Sequence, residues 1–326
     1  MQIDQTLRRL VWRARRRFIR AADHDPVVTL ETPAPTPPTP ASGNPWGRRL
    51  RTALAFVATL ATLALGYGAL VAFNSRAPLE VTVGGPPVQP GESNAVAAVV
   101  HILAYAPDTV LDEGEILFVP SGRSLRESMV RAGATSVAAA YIARAGPLQG
   151  RLDAALADAR AAMAATPGPD RVAARDALRR FNDRLADGEA RLDAGPAALA
   201  GLLRAAADAC DVQSADLAAM AAQPSLLAAP AVDARMAQAR GVAWGWALIL
   251  RGALRDAPDL ASTLSVEASI PLEAMGEIAE RQPLFLFNVE EAAPFAPAHV
   301  AEAAAEFARA AAGARALASA LDRQAP

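Results

Sequence analysis

Carboxylates are the residues whose spacing most invites a chemical reading. Glu273, Glu277 and Glu280 fall at i, i+4 and i+7, which places three acids on one helical face, and Glu290 and Glu291 follow shortly after. Two carboxyl groups at close range can serve as general acid and general base in glycoside hydrolysis, so Glu277 and Glu280 are the candidate pair for a hydrolase acting on envelope material. A solvated helix face explains the same spacing with fewer assumptions. His299 is a third candidate, because an imidazole exchanges protons near neutral pH. His101 lies off the apolar stripe of its helix and reads as a solvated residue, and His101 and His299, the two histidines of residues 77–326, are too few for a histidine-based zinc site without carboxylates from elsewhere. Cys210, the single cysteine, sits on an apolar stripe with no base in view, and therefore reads as a small core residue rather than a nucleophile. The chain has no phosphate-binding Gly-x-x-x-x-Gly-Lys, no Gly-x-Gly-x-x-Gly, no paired cysteines, no His-Glu-x-x-His and no Gly-x-Ser-x-Gly. These absences weigh against the common enzyme classes, and neither a metal nor a cofactor is expected.

The elements that would position such residues are helical. Ala and Leu dominate, aromatic residues are only 5%, and runs of β-branched residues are rare, so helix is favoured throughout the 326 residues. With one cysteine no internal disulfide can form, and packing alone must hold the fold. The net charge of −2 hides a division: residues 1–76 carry +7 and residues 77–326 carry −9, and every basic residue is Arg. Between the two lies TALAFVATLATLALGYGALVAF, residues 52–73, without a charge. At 1.5 Å per residue it reaches about 33 Å, enough to cross the hydrocarbon of a bilayer. A cleaved signal peptide would have a shorter apolar stretch much nearer the start. Arg48, Arg49 and Arg51 crowd the near side, whereas the far side has Arg76 and then no basic residue before Arg123. The positive-inside bias predicts a single-pass protein of a bacterial inner membrane, with its N-terminus in the cytoplasm and a long C-terminal domain in the periplasm.

Before the span, residues 1–32 include a basic amphipathic helix in which Ile3, Leu7, Leu10, Val11, Ala14 and Phe18 form one stripe. Arg8, Arg9, Arg13, Arg15, Arg16, Arg17 and Arg20 surround it and suit contact with anionic lipid. Residues 33–51 form a Pro-rich linker, and residues 74–93 a Gly- and Pro-containing stalk. Residues 94–326 read as a multi-helix bundle, so the fold class is all-α: one transmembrane helix followed by a periplasmic helical domain.

Within the bundle, Val96, Val99, Val100 and Leu103 form a first stripe ended by Pro107. Ser124 and Glu127 form a capping box before Leu125, Met129, Val137 and Tyr141. Residues 115–119 (EILFV) are the single good strand candidate. Pro147 opens a helix with Leu148, Leu152, Leu156 and Met163; Asp170 caps one with Leu178, Phe181, Leu185 and Leu192; Gly195 and Pro196 lead to one with Leu199, Leu202, Leu203 and Cys210. From Asp233 to Asp256 the polar face disappears, as in a central helix covered by others. A shorter helix spans Leu272 to Gln282. The last begins at Pro297 and carries Val300, Ala304, Phe307, Ala311, Ala314, Ala318 and Leu321 at a/d spacing, suited to close antiparallel packing on a neighbour or in a dimer.

The most distinctive local run is Arg240-Gly241-Val242-Ala243-Trp244, where a glycine beside a tryptophan in a central helix admits another backbone while the indole fills the adjoining space. Arg240, Gly241 and Trp244 are thus expected core residues. With Ala247-Leu248, residues 181–192 (FNDRLADGEARL) and the ending 284–317, this run resembles a family of uncharacterised proteobacterial inner-membrane proteins with one N-terminal span and a helical periplasmic domain. Where that family has an Asn-Gly turn and an Asn-His pair, this chain has Asn288 and Ala298-His299. The resemblance implies the same order of parts and no particular activity.

The expectation is a membrane-anchored periplasmic scaffold or interaction protein of the cell envelope. Its expected partners are the lipid bilayer and another protein or a second copy of itself, met through the Ala-rich last helix; no nucleic acid is expected. A hydrolase using Glu277 and Glu280 is one alternative. A ligand-sensing module is another, since helical bundles often hold small molecules between helices.

Overall fold

Among the described residues ten helices carry the regular structure, and no strand occurs. The computed structural model describes residues 45–74, 86, 88–105, 123–145, 153–223, 230–263, 265–281, 286–289 and 298–323. The basic N-terminal segment, the strand candidate at 115–119 and the helix ends expected at Pro107 and Pro147 lie outside them.

The first helix, α1 (Pro45–Asn74), starts seven residues before the expected span, because Pro45 suits the first turn and the arginines that follow are good helix formers. The end of the expected Pro-rich linker is therefore helical. From Arg49 to Tyr67 it is long and apolar enough to cross a membrane, and all of its described side chains are exposed, Leu54 at 60% and Phe56 at 65%. So many exposed Leu, Val and Phe side chains on one helix are costly in water.

The remaining helices are α2 (Asn94–Ala104), α3 (Arg123–Arg144), α4 (Ala154–Met163), α5 (Arg171–Ala186), α6 (Pro196–Ala221), α7 (Pro230–Asp256), α8 (Pro258–Thr263), α9 (Ser265–Glu280) and α10 (His299–Asp322). Local chemistry fixes most of the boundaries. Ser93 and Asp170 accept from Val96 N at 3.2 Å and Ala173 N at 2.9 Å, capping α2 and α5. Asp153 accepts from Ala155 N at 2.9 Å and caps α4 at Ala154. Gly188, at φ +75°, takes the left-handed conformation that ends α5, so Leu192 lies beyond the helix rather than on its stripe. In α3 the helix already includes Arg123, one residue before the expected cap. Its buried stripe runs through Val130, Ala134, Val137, Ala138 and Tyr141, leaving Leu125 50% exposed. Helix α9 runs through Pro271 instead of starting after it, and the proline ring lies where a Cβ on Gly313 of α10 would come within 3.1 Å.

Helix α7 is the centre. Every residue from Ala239 to Leu250 is buried, including Trp244 and Trp246, and α2, α3, α6 and α9 cover it. Burying each such large side chain contributes on the order of 2–3 kcal/mol. Helices α6 and α10 form the most extensive pair and run antiparallel: Arg204 pairs with Asp322, Arg315 with Asp211, and the Ser214 hydroxyl donates to Ala304 O at 2.8 Å. The a/d residues of α10 are buried within the chain, against α6 and α9.

Helices α3 and α7 meet backbone to backbone. A Cβ on Gly241 would lie 2.0 Å from Val130 O, and one on Gly133 would lie 2.1 Å from Gln238 O. Neither position can hold a methyl group unless the helices part. Gly241→Ala and Gly133→Ala should each destabilise the full-length protein by about 2–3 kcal/mol, whereas Gly201→Ala, with nothing within 4 Å of its Cβ, should stabilise by up to ~1 kcal/mol. Denaturant unfolding followed by circular dichroism measures all three.

Candidate functional site

The end of α7 and the start of α2 are joined by a carboxylate. Asp256 Oδ1 accepts from the Asn94 amide at 2.7 Å and from its side-chain Nδ2 at 2.9 Å, while Oδ2 accepts from the Ser93 hydroxyl at 2.6 Å and Ala95 N at 3.0 Å. Four donors thus converge on one side chain, two of them amides that open α2 and have no partner within the helix. The adjoining Ser93 amide donates to Asn182 Oδ1 at 2.9 Å, tying α5 to the same point. Gly252, one turn earlier on α7, makes the approach possible, since a Cβ there would lie 2.6 Å from Asn94 O.

Beside this junction is a cavity of about 380 Å³. Ala95 of α2, Tyr141, Arg144 and Ala145 at the end of α3, Ala253 and Asp256 of α7, Ala198, Leu199, Gly201 and Leu202 of α6 and the 192–194 segment before it form its wall. Most of the lining is apolar: Leu192, Leu199 and Leu202 with alanines. The polar groups are Tyr141, Arg144, Asp193 and Asp256. Tyr141 is buried against the Ser93 hydroxyl. Burial first and the Asp256 charge second push its phenol well above the ordinary tyrosine value, only partly offset by Ser93, so it stays protonated at physiological pH. Arg144 and Asp193 are exposed at the rim.

The residues singled out by spacing lie elsewhere. Glu273, Glu277 and Glu280 are all exposed on α9, and Glu277 pairs with Arg309 at 2.8 Å. Glu290 and Glu291 fall outside the described residues. His299 opens α10; its Nδ1 accepts from Phe287 N at 3.2 Å and its ring stacks on Phe287 at 5.7 Å. Burial holds its pKa below the ordinary histidine value, with Glu302 opposing. Glu277, Glu280 and His299 do not line the cavity. No group of three or more metal-ligating side chains converges among the described residues.

Arg240, Gly241 and Trp244 are buried, and Arg240 has a definite task. Its Nε and a terminal nitrogen donate to Ala279 O at 3.1 and 2.9 Å, capping the end of α9. Burial lowers its pKa to about 10, which leaves it charged. Trp244 packs against the rings of His101 and Tyr105, at 5.8 and 5.3 Å. Two further arginines do the same work as Arg240. Arg160 donates to the carbonyls of Ile142, Ala143 and Ala145 at the end of α3, and Arg171 to those of Leu103 and Tyr105 at the end of α2.

Comparison with known proteins adds no analogy. No family model, curated protein or solved structure significantly matches the chain.

Sequence reasoning placed Tyr141 on a helix stripe but did not single out the cavity, because its polar residues, Tyr141, Arg144, Asp193 and Asp256, come from three separate segments of the chain. Asp256→Ala would leave the α2 amides and two side chains without their acceptor, and should cost roughly 2–3 kcal/mol, read as a drop in Tm of the full-length protein. Burial pushes the Cys210 thiol up to about 12, with Asp211 adding to the effect and Arg315 opposing it. Iodoacetamide should therefore leave the native protein unlabelled at pH 8 and label one cysteine after denaturation, as mass spectrometry would read directly.

Proposed function

We propose that the chain is a single-pass inner-membrane protein whose bundle serves as a scaffold or interaction module on the periplasmic face. The observation that carries this reading is α1, whose stretch from Arg49 to Tyr67 is long, apolar and exposed throughout. The arginines before its charge-free run favour a cytoplasmic N-terminus, with Arg8, Arg9, Arg13, Arg15, Arg16, Arg17 and Arg20 against anionic lipid. The candidate carboxylates Glu277 and Glu280 are exposed on α9, and Glu277 is already paired with Arg309, which gives a hydrolase little support.

A second reading, small-molecule sensing, is favoured by one feature: the apolar cavity at the Ser93–Asp256 junction, whose volume falls in the range of ligand sites, about 300–1,000 Å³.

Alkaline carbonate should leave the full-length protein in the membrane pellet and release a variant lacking residues 52–73. Alkaline phosphatase fused after Pro326 should be active, because it folds only outside the cytoplasm. A carbonate-soluble full-length protein, or an inactive fusion of normal abundance, would overturn the proposal.

A further inference from the structure

We infer that the cavity beside Tyr141 and Asp256 binds a free aliphatic α-amino acid as its zwitterion. This inference rests on the small-molecule reading above and names its ligand class. A volume of about 380 Å³ lies at the small end of the range for ligand sites, which selects a compact occupant. Leu192, Leu199 and Leu202 offer walls for an aliphatic side chain.

The polar groups select the other end of the molecule. Asp256 is saturated, each oxygen already accepting two hydrogen bonds. Tyr141 adds a polar, uncharged group to the wall, buried beside the Ser93 hydroxyl. At the rim, Arg144 donates only to Ala140 O, at 3.2 Å, and Asp193 accepts only from Gly195 N, at 2.9 Å; neither belongs to an ion pair among the described residues. The guanidinium is free to take a carboxylate, and the Asp193 carboxylate an ammonium. A simple carboxylate would face Asp193 and Asp256 with one cation to offset them, and a simple amine would face Arg144. A zwitterion meets both signs at once.

Isothermal titration of the full-length protein in detergent micelles, with L-leucine, 4-methylpentanoate, 3-methylbutylamine and 3-methylbutan-1-ol as probes, tests this. L-leucine should bind at least tenfold more tightly than any of the other three. Arg144→Gln and Asp193→Asn should each weaken leucine about tenfold at unchanged Tm. Gly201→Phe should abolish binding with the fold intact, since Gly201 lines the cavity and a Cβ there meets nothing within 4 Å. The inference is overturned if leucine gives no heat with the folded protein, if the alcohol binds as well as leucine, or if Gly201→Phe binds like wild type. Any of those results leaves membrane anchoring intact, because carbonate extraction and the phosphatase fusion report on α1 and the position of Pro326.

Discussion

The contact of α3 with α7, backbone on backbone, is the constraint that the rest of the bundle obeys. Gly133 and Gly241 each sit where the partner helix leaves no room for a Cβ, so the two helices are interlocked at a fixed register. Once that register is set, Val137 lies against Gly245, and the buried stripe of α3 faces the one helix that has no polar side. Alanine and glycine contribute little apolar area apiece, and close approach is how such a sequence recovers dispersion energy that larger side chains would otherwise supply. Gly252 repeats the device near the end of α7, where α2 crosses.

Close packing of short helices raises a second demand, that of the helix ends. Each helix leaves four amides and four carbonyls without partners of its own, and in a multi-helix bundle many of these lie in the interior. Here they are met by side chains from other helices. Asp256 satisfies the opening of α2, Arg171 its close, Arg160 the close of α3, Arg240 the close of α9, and Asn288 the close of α6 through Met220 O and Gln223 O at 3.1 and 3.0 Å. A guanidinium is suited to this work because its donors spread over several carbonyls, and its positive charge complements the negative end of the helix dipole. Buried arginine is therefore architectural in this protein.

Helix identity was legible in the sequence wherever a stripe repeated. The seven a/d residues of α10, the burial of α7 from Ala239 to Leu250, the cap at Asp170 and the start of α6 at Pro196 follow from spacing and local chemistry alone. Legibility ended where the deciding partner is distant. Nothing near Pro147 announces that Asp153 captures the start of α4, and the continuation of α9 through Pro271 depends on a glycine in α10. The carboxylates that spacing brought forward, Glu277 and Glu280, share a face because that face meets solvent. The cavity was invisible for the opposite reason: Tyr141, Asp193 and Asp256 have no common period and become neighbours through the α2–α7 junction.

That junction also decides what kind of chemistry its cavity can support. A general base must have a lone pair and an accessible protonation change, and Asp256 has committed its oxygens to four donors that hold α2 in place. Tyr141, pushed upward by burial and by the neighbouring Asp256 charge, keeps its proton and is a fixed dipole rather than an acid or a nucleophile. A rigid, saturated polar wall beside a small apolar space discriminates between molecules by shape and by donor pattern. On the small-molecule reading proposed above, selection there involves no exchange of a proton.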